Sequence, residues 1–488
     1  MKNGTWDRVF LSVFLVALAF AASAQSAETK SASPPTLQEQ ITLTPQEEAL
    51  LAEAAKPVVP PSNNAAPIYC RIFQQMERDR EKYFTKEKLE VVISDKPATK
   101  SGLPEPIPPL DYYDRTYGGD VSPYAEIRRA VGMQCDFTLD YARGMYTPLP
   151  HLAAMRNLAR LMAFQARWDY EEGRYDRGIE DAGYIWTISR HAASEPAMVA
   201  NLVGLAIDSI GRNVLMRMCF QRRGDREFLA AARKFLASQP DRLVDAPAVL
   251  RSDSMLMGSF YLHAINDPGL SGADVLSTLI YETADAGLGG GIQVVKPIRF
   301  TPEHLRNAVL REMLETSYNL PSGSLTEENV RATMKKIVAR YLVSVHAYAE
   351  AVKKGPAAAS AWRQDFEARN TGTERERMGV ELLANMLTPG LFNFPRQAWL
   401  QEGKAKGSIL VIDAFIRGDK KVELKDAFGV PYKATWGEDF VYFESPSQFA
   451  EAHDMDFSLP AYMKYDEFQK RLGAHAGASQ VPSQKQVR

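Results

Sequence analysis

Residues 329–352 read NVRATMKKIVARYLVSVHAYAEAV, and their apolar members recur every three to four positions. Val330, Met334, Ile337, Val338, Tyr341, Val345 and Tyr348 form one stripe, with lysines and arginines opposite. An α-helix turns once in 3.6 residues, so this spacing gathers the stripe on one face, and burial of that face drives it against a neighbour. A strand, with its period of two, would scatter the same residues over both faces. Residues 304–318 repeat the pattern through Leu305, Val309, Leu310, Met313 and Leu314. Thr301-Pro302-Glu303 ahead of them is a cap, a proline and an acid, the order that suits a helix start. Similar segments predict helices over 67–90, 123–145, 150–172, 175–192, 196–220, 225–238, 245–266, 271–286, 356–369 and 373–388. The expected class is mainly α, with helical hairpins stacked on one another.

The N-terminus carries a different signal. Lys2 and Arg8 precede the apolar run VFLSVFLVALAFAA, Val9 to Ala22, and Ala22-Ser23-Ala24 follows. A basic start, a short apolar stretch and an A-x-A exit read as a secretory signal peptide over 1–24, cut before Gln25. The run is shorter than the ~20 apolar residues that a membrane span needs. The expected product is an exported protein, periplasmic or extracellular, with no membrane span after cleavage. Charge is nearly balanced, 58 basic against 60 acidic side chains, so the cationic footprint of a nucleic-acid partner is missing.

Residues 25–66, rich in Pro, Ala, Ser and Gln, read as a disordered linker. It holds one short helix, TPQEEALLAEAA, with Thr44 as cap, Pro45 at the first position and Glu47 closing a capping box. The helical body is expected over 67–471, and 472–488 reads as a disordered tail. Three cysteines in an oxidising compartment leave one disulfide and one thiol. Cys70 and Cys135, in the same third of the chain, are the expected pair, and Cys219 ends an apolar helix as a small hydrophobe.

One helix pair is more specific. In AFQARWDYEEGRYDRGIEDAGYIW a helix ends near Glu172, Gly173 turns the chain, and Tyr175 and Gly178 follow. Ala166, Gly173, Tyr175 and Gly178 make the segment 150–192 resemble the tetratricopeptide (TPR) helical hairpin. Gly178 stands where alanine is usual, no proline marks the exit, and no second copy recurs at a fixed period. The resemblance implies TPR-like, α-superhelical stacking of hairpins and a protein-binding or scaffold role. The layout as a whole also resembles exported bacterial helical proteins of unknown function.

Near the C-terminus, DAFGVPYKATWGEDFVYFES breaks the helical period. It predicts a small β-hairpin over 426–445. Asp426 bonds its own backbone, Gly429 supplies the unusual dihedral and Pro431 fixes the entry to the strand. An isolated hairpin is marginal in water, so it is expected to lie against helices, with Gly407–Gly418 as partner. That partner segment reads as helix through Ile409, Ile412 and Ile416. Asp426, Phe428, Gly429, Pro431 and Tyr432 also resemble the D-P-W-G-x-P-Y turn of type II secretion pseudopilins. The processing glycine and long N-terminal helix of that family are absent, so the motif is read here as hairpin chemistry.

Candidate sites are sparse. Tyr112, Tyr113, Tyr117 and Tyr124 lie among aspartates in 108–124 and are the binding candidates, for a sugar or a cation. His263 with Tyr261 is the catalytic candidate, a pairing suited to proton abstraction. No HExxH, CxxC or G-x-S-x-G occurs, so no metal and no cofactor is expected. The glycine run 287–291 follows a helix and lacks the third glycine of a dinucleotide loop, so it reads as a connector. The acids Asp169, Glu171, Glu172, Asp176, Glu180 and Asp181 read as solvated faces. The functional expectation is a non-enzymatic scaffold or protein-binding module of the cell envelope. The alternative is a secreted carbohydrate-active enzyme on an α/α-toroid, such as a polysaccharide lyase.

Overall fold

The computed structural model describes residues 41–56, 62–78, 123–137, 139, 147–279, 281–284, 294–297, 301–317, 320, 322–371, 391–446 and 455–460. The signal segment, Tyr112, Tyr113, Tyr117, the glycine run, the 373–388 helix and the C-terminal tail lie outside them. The chain divides into two units, each assembled from separated stretches. One comprises 1–56, 257–344 and 365–389, the other 57–256, 345–364 and 390–488. The fold is mainly α with a small three-stranded antiparallel sheet near the C-terminus.

The first unit contains α1 (Pro45–Ala54), which the sequence places inside a linker too polar to bury a core. The helix forms as its cap predicts. Thr44 Oγ1 accepts from Glu47 N–H, and Glu47 Oε2 accepts from Thr44 N–H at 2.6 Å. It also docks, because Glu47, Leu51 and Ala54 are buried. Lys336, from α12 (Val330–Lys354), donates to Glu47 Oε2 and to Thr42 O, both at 2.6 Å. Arg340 adds an ion pair at 2.9 Å. Burial alone would raise the Glu47 pKa, but the hydrogen bonds from Lys336 and Thr44 and the Arg340 charge hold it below its ordinary value. Here a buried carboxylate stays ionised because its cation is buried beside it.

Elsewhere in this unit, α8 (Ala246–Asn266) ends against Arg331, which donates to the carbonyls of Ile265, Asp267 and Leu270. A cation on the last carbonyls of a helix meets both their hydrogen-bond demand and the negative end of its dipole. The helix expected over 271–286 stops early. It runs as α9 (Gly272–Leu279), and Tyr281–Ala284 is instead strand β1, paired antiparallel with β2 (Val294–Pro297). Two helices, α10 (Pro302–Arg306) and α11 (Ala308–Ser317), replace the single segment at 304–318. Glu315 then accepts from the amides of Gly323 and Leu325, which holds the turn ahead of α12.

The second unit holds α2 (Ala66–Arg78), α3 (Pro123–Ala130), α4 (Pro150–Glu171), α5 (Tyr175–Ala193), α6 (Met198–Gln221) and α7 (Arg226–Ser238). Gly173 turns α4 into α5 at φ +81°, where an L side chain would be strained. A Cβ on Gly178 would stand 3.1 Å from Ala166 O, so the small residues do let the helices approach. Tyr175 meets Tyr170 edge-on at 5.5 Å. By length and hydropathy α6 alone among the described helices would pass as a membrane span, yet 56% of its apolar window is buried. Its Met216 and Cys219 share one core with Trp186 of α5.

The last long helix, α14 (Asn393–Arg417), includes the segment read as the hairpin's partner. Strands β3 (Lys433–Trp436) and β4 (Val441–Glu444) pair as predicted, Lys433 opposite Glu444 and Trp436 opposite Val441. A third strand, β5 (Phe457–Leu459), extends the sheet and was not legible. Val441, Phe443, Phe457 and Leu459 are buried, and Phe457, Leu459 and Leu424 close over Gly407 of α14. The expected docking of hairpin on helix is what makes the sheet stable.

Candidate functional site

The predicted catalytic pair does not converge. Tyr261 is 1% exposed in the core, whereas His263, two positions on along α8, is exposed. Residues two apart on a helix point to opposite sides, so no shared substrate atom lies within reach of both. Tyr124 is corrected in the same way. Pro123 starts α3, and Tyr124 turns inward to 2% exposure rather than outward to a ligand. The three cysteines stand as free thiols in the structure, Cys70 on an exposed face and Cys135 and Cys219 buried. Burial pushes the Cys135 and Cys219 thiols up, which removes nucleophilic thiolate.

Tyr124 instead belongs to a buried polar cluster. Its hydroxyl donates to Asp181 Oδ1 at 2.6 Å. Asp169, also fully buried, accepts from Gln165 at 2.7 Å and from Arg174 at 2.5 Å. The two carboxyls hydrogen-bond to each other, and no other donor reaches Asp181 Oδ2. Burial and then Asp169 push the Asp181 pKa up to about 9, while Asp169 is held low by its donors. Asp181 thus keeps its proton and gives it to Asp169. These two were expected on solvated faces; in fact they tie α4, α5 and α3 together. The pair is thus an acid dimer buried between helices.

Two histidines of this unit, His191 and His151, are equally enclosed. His191 bridges Tyr69 Oη at 2.7 Å and Met133 O at 2.8 Å, and burial lowers its pKa. His151 stacks on Phe137 at 4.1 Å between centroids. Burial drops its pKa to about 4, so at neutral pH the 3.8 Å approach to Glu195 is no ion pair. Among the described residues, no three His, Cys, Asp or Glu side chains stand close enough to hold a metal.

A cleft does open in the second unit, where α13 (Pro356–Thr371) and α14 begin. Pro356, Ala359, Ser360 and Arg363 line it from the first two turns of α13, at the i, i+3, i+4, i+7 positions of one face. Phe392, Asn393, Arg396 and Trp399 line it likewise from α14, and Tyr348 from the end of α12. Phe428 and Met455 come from the sheet region. Tyr348 meets Phe392 edge-on at 5.1 Å, and the Arg363 guanidinium lies 5.6 Å above the Phe392 ring. The space totals about 390 Å³ including the open mouth, but only about 30 Å³ lies deep enough to enclose solvent.

The C-terminal turn serves this cleft. Asp426 Oδ1 accepts from the amides of Phe428 and Val430, at 2.9 and 2.8 Å. Its Oδ2 accepts from Ser445 at 2.6 Å, and Gly429 adopts φ +84°. This clamp fixes where Phe428 stands, as the D-x-F-G-x-P-Y reading of the turn requires. The rest of the cleft went unread in the sequence. Its signal was Gly355-Pro356 and Phe392-Asn393-Phe394-Pro395, two proline-marked helix starts, each followed by an arginine.

No acid, histidine, cysteine or lysine lines the cleft among the described residues. The Tyr348 hydroxyl is engaged with Phe392 O at 3.4 Å. The arrangement can hold a ligand through rings and guanidinium groups, with the Ser360 hydroxyl beside them. No protein-family model, curated protein or solved structure matches this chain.

Proposed function

We propose that this chain is a non-enzymatic protein-binding module that engages its partner at the cleft between the starts of α13 and α14. The composition of the cleft carries the reading. Seven of its eleven lining residues are Tyr, Phe, Trp, Met or Arg. Those types are enriched at the centres of protein interfaces, where lysine and acids are depleted. Only about 30 Å³ of it is enclosed, well below the ~300 Å³ and more that encloses a small-molecule substrate, so the cleft is a shallow contact surface. The helical hairpin of α4 and α5 supports the scaffold part of the reading. The carbohydrate-active reading has less behind it, since His263 and Tyr261 face apart and no acid or base lines the cleft.

The reading includes export, for which the basic start, the apolar run and Ala22-Ser23-Ala24 are the support. A mature mass beginning at Gln25 is the expected result. The binding claim is tested with a photocrosslinking residue at Asn393, which is exposed on the cleft rim, and at Val309, exposed on α11, as control. A discrete adduct from Asn393 alone, lost on Phe428→Ala, is expected. Equal adducts from both sites, or none, would sink the proposal.

A further inference from the structure

Resting on the protein-binding reading, we infer that the cleft takes the free C-terminal carboxylate of a partner chain whose last side chain is apolar. Three observations of the same place converge on an anion. Arg363 and Arg396 both line the cleft, and no aspartate or glutamate lines it among the described residues. Guanidinium groups match a carboxylate with paired donors in fixed geometry. The first turns of α13 and α14 also open into it, and neither contains an acidic residue. Phe392, the N-cap of α14, makes no side-chain cap bond to that helix start. The positive ends of two helices add to the field of two arginines.

The rings decide what accompanies the charge. Tyr348, Phe392, Trp399, Phe428 and Met455 bring apolar surface to the same cleft. A chain end presents a carboxylate and one side chain from a single residue, and the roughly 390 Å³ of open cleft leaves room for both. An internal acidic residue would carry backbone in both directions past the mouth. A saccharide acid would bring hydroxyl groups against rings with only Ser360 and Asn393 to receive them. Capture of a chain terminus by oriented backbone and cationic groups is a known physical mode of peptide recognition.

The test is fluorescence anisotropy on the full mature chain. The probes are fluorescein-labelled hexapeptides ending in Phe or Leu, each as the free acid and as the C-terminal amide. The free acids are expected to bind at least about tenfold tighter than the amides, because amidation removes the charge that the guanidinium bonds require. Arg363→Gln and Arg396→Gln should each weaken the free acid about tenfold and narrow the acid–amide gap. Arg396→Lys, which keeps the charge and loses the fork, should fall between. Thermal unfolding of each variant shows that it is folded, and Phe428→Ala, on a half-buried turn, provides a variant that spares the helices. Equal binding of acid and amide, or tighter binding of an amidated peptide with an internal Glu, would overturn the terminal-carboxylate inference and leave the protein-binding reading standing. No peptide binding alongside a specific Asn393 adduct would do the same. Displacement of every peptide by an oligouronate, with no Asn393 adduct, would overturn both.

Discussion

Glu47 in the first unit and Asp181 in the second are equally buried, at 1% and 0% exposure, yet they answer burial in opposite ways. Glu47 keeps its charge because Lys336 is buried beside it, 2.6 Å away. Asp181 faces another carboxyl, Asp169, whose nearby donors have already been claimed, and so it keeps its proton. What a buried acid becomes is set by the partner that the fold puts within 3 Å, not by burial alone. Their pH responses must therefore have opposite signs.

The largest effect is expected from breaking the ion pair. Lys336→Met leaves Glu47 buried without its ammonium and should cost about 3–5 kcal/mol. Amide hydrogen exchange in α1 reads it locally, as faster exchange confined to that helix and its neighbours in the first unit. Adding Glu47→Leu should recover most of the loss, since a matched apolar pair carries no desolvation penalty. A Lys336→Met chain with unchanged exchange in α1 would show that the pair holds nothing.

Asp181 comes next. It binds a proton in the fold up to pH about 9 but loses it near 4 when unfolded. The native state therefore carries more protons between those values, and stability falls as pH rises, by up to ~1.4 kcal/mol per pH unit. Across pH 5 to 8 that is as much as about 4 kcal/mol. Asp181→Asn keeps a donor for Asp169 and should flatten the slope, stabilising the second unit at pH 8. Denaturant unfolding followed by tryptophan emission is well placed, because Trp168, Trp186, Trp362, Trp399 and Trp436 all belong to that unit. Glu47, whose pKa is depressed, contributes stability above its unfolded value near 4.5 and loses it as pH falls through the lower folded value. Acid should thus loosen α1 while base loosens the α4–α5 pair. The same sign in both units would break the comparison.

Smaller effects separate charge from packing and from binding. Gly178→Val drives a branched side chain toward Ala166 O, 3.1 Å from where its Cβ must go. It should cost about 1–3 kcal/mol with no change in the pH slope. Phe428→Ala, on a turn fixed by Asp426, should change stability by less than about 1 kcal/mol while abolishing the cleft's binding. A large stability loss there would make Phe428 a packing residue instead of an anchor.

Much of the architecture was legible because it is written in local periodicity. The boundaries of α4, α5, α7 and α8 follow from stripes and from punctuation such as Pro150, Gly173 and the Asp225 cap, and the 433–444 hairpin follows from Asp426, Gly429 and Pro431. What escaped reading depended on distance. Strand β5 pairs with β4 across intervening chain, and α9 gives way to β1 because Val294–Pro297 returns to pair with it. The site residues escaped for the same reason. Asp169 and Asp181 have the sequence of solvated acids, and only the hairpin turns them toward each other. Tyr261 and His263 look paired in the chain, and the helical rotation parts them.

Thus the residues themselves determined that this chain is helical, where most helices start and stop, and how the Asp426 turn is built, since each depends on neighbours a few positions away. The tertiary structure alone decided which acids are charged, which tyrosines are buried, and that Arg363, Arg396 and Phe428 share one cleft. Those outcomes come from groups tens or hundreds of positions apart meeting at hydrogen-bond distance, where removal from water makes each contact decisive.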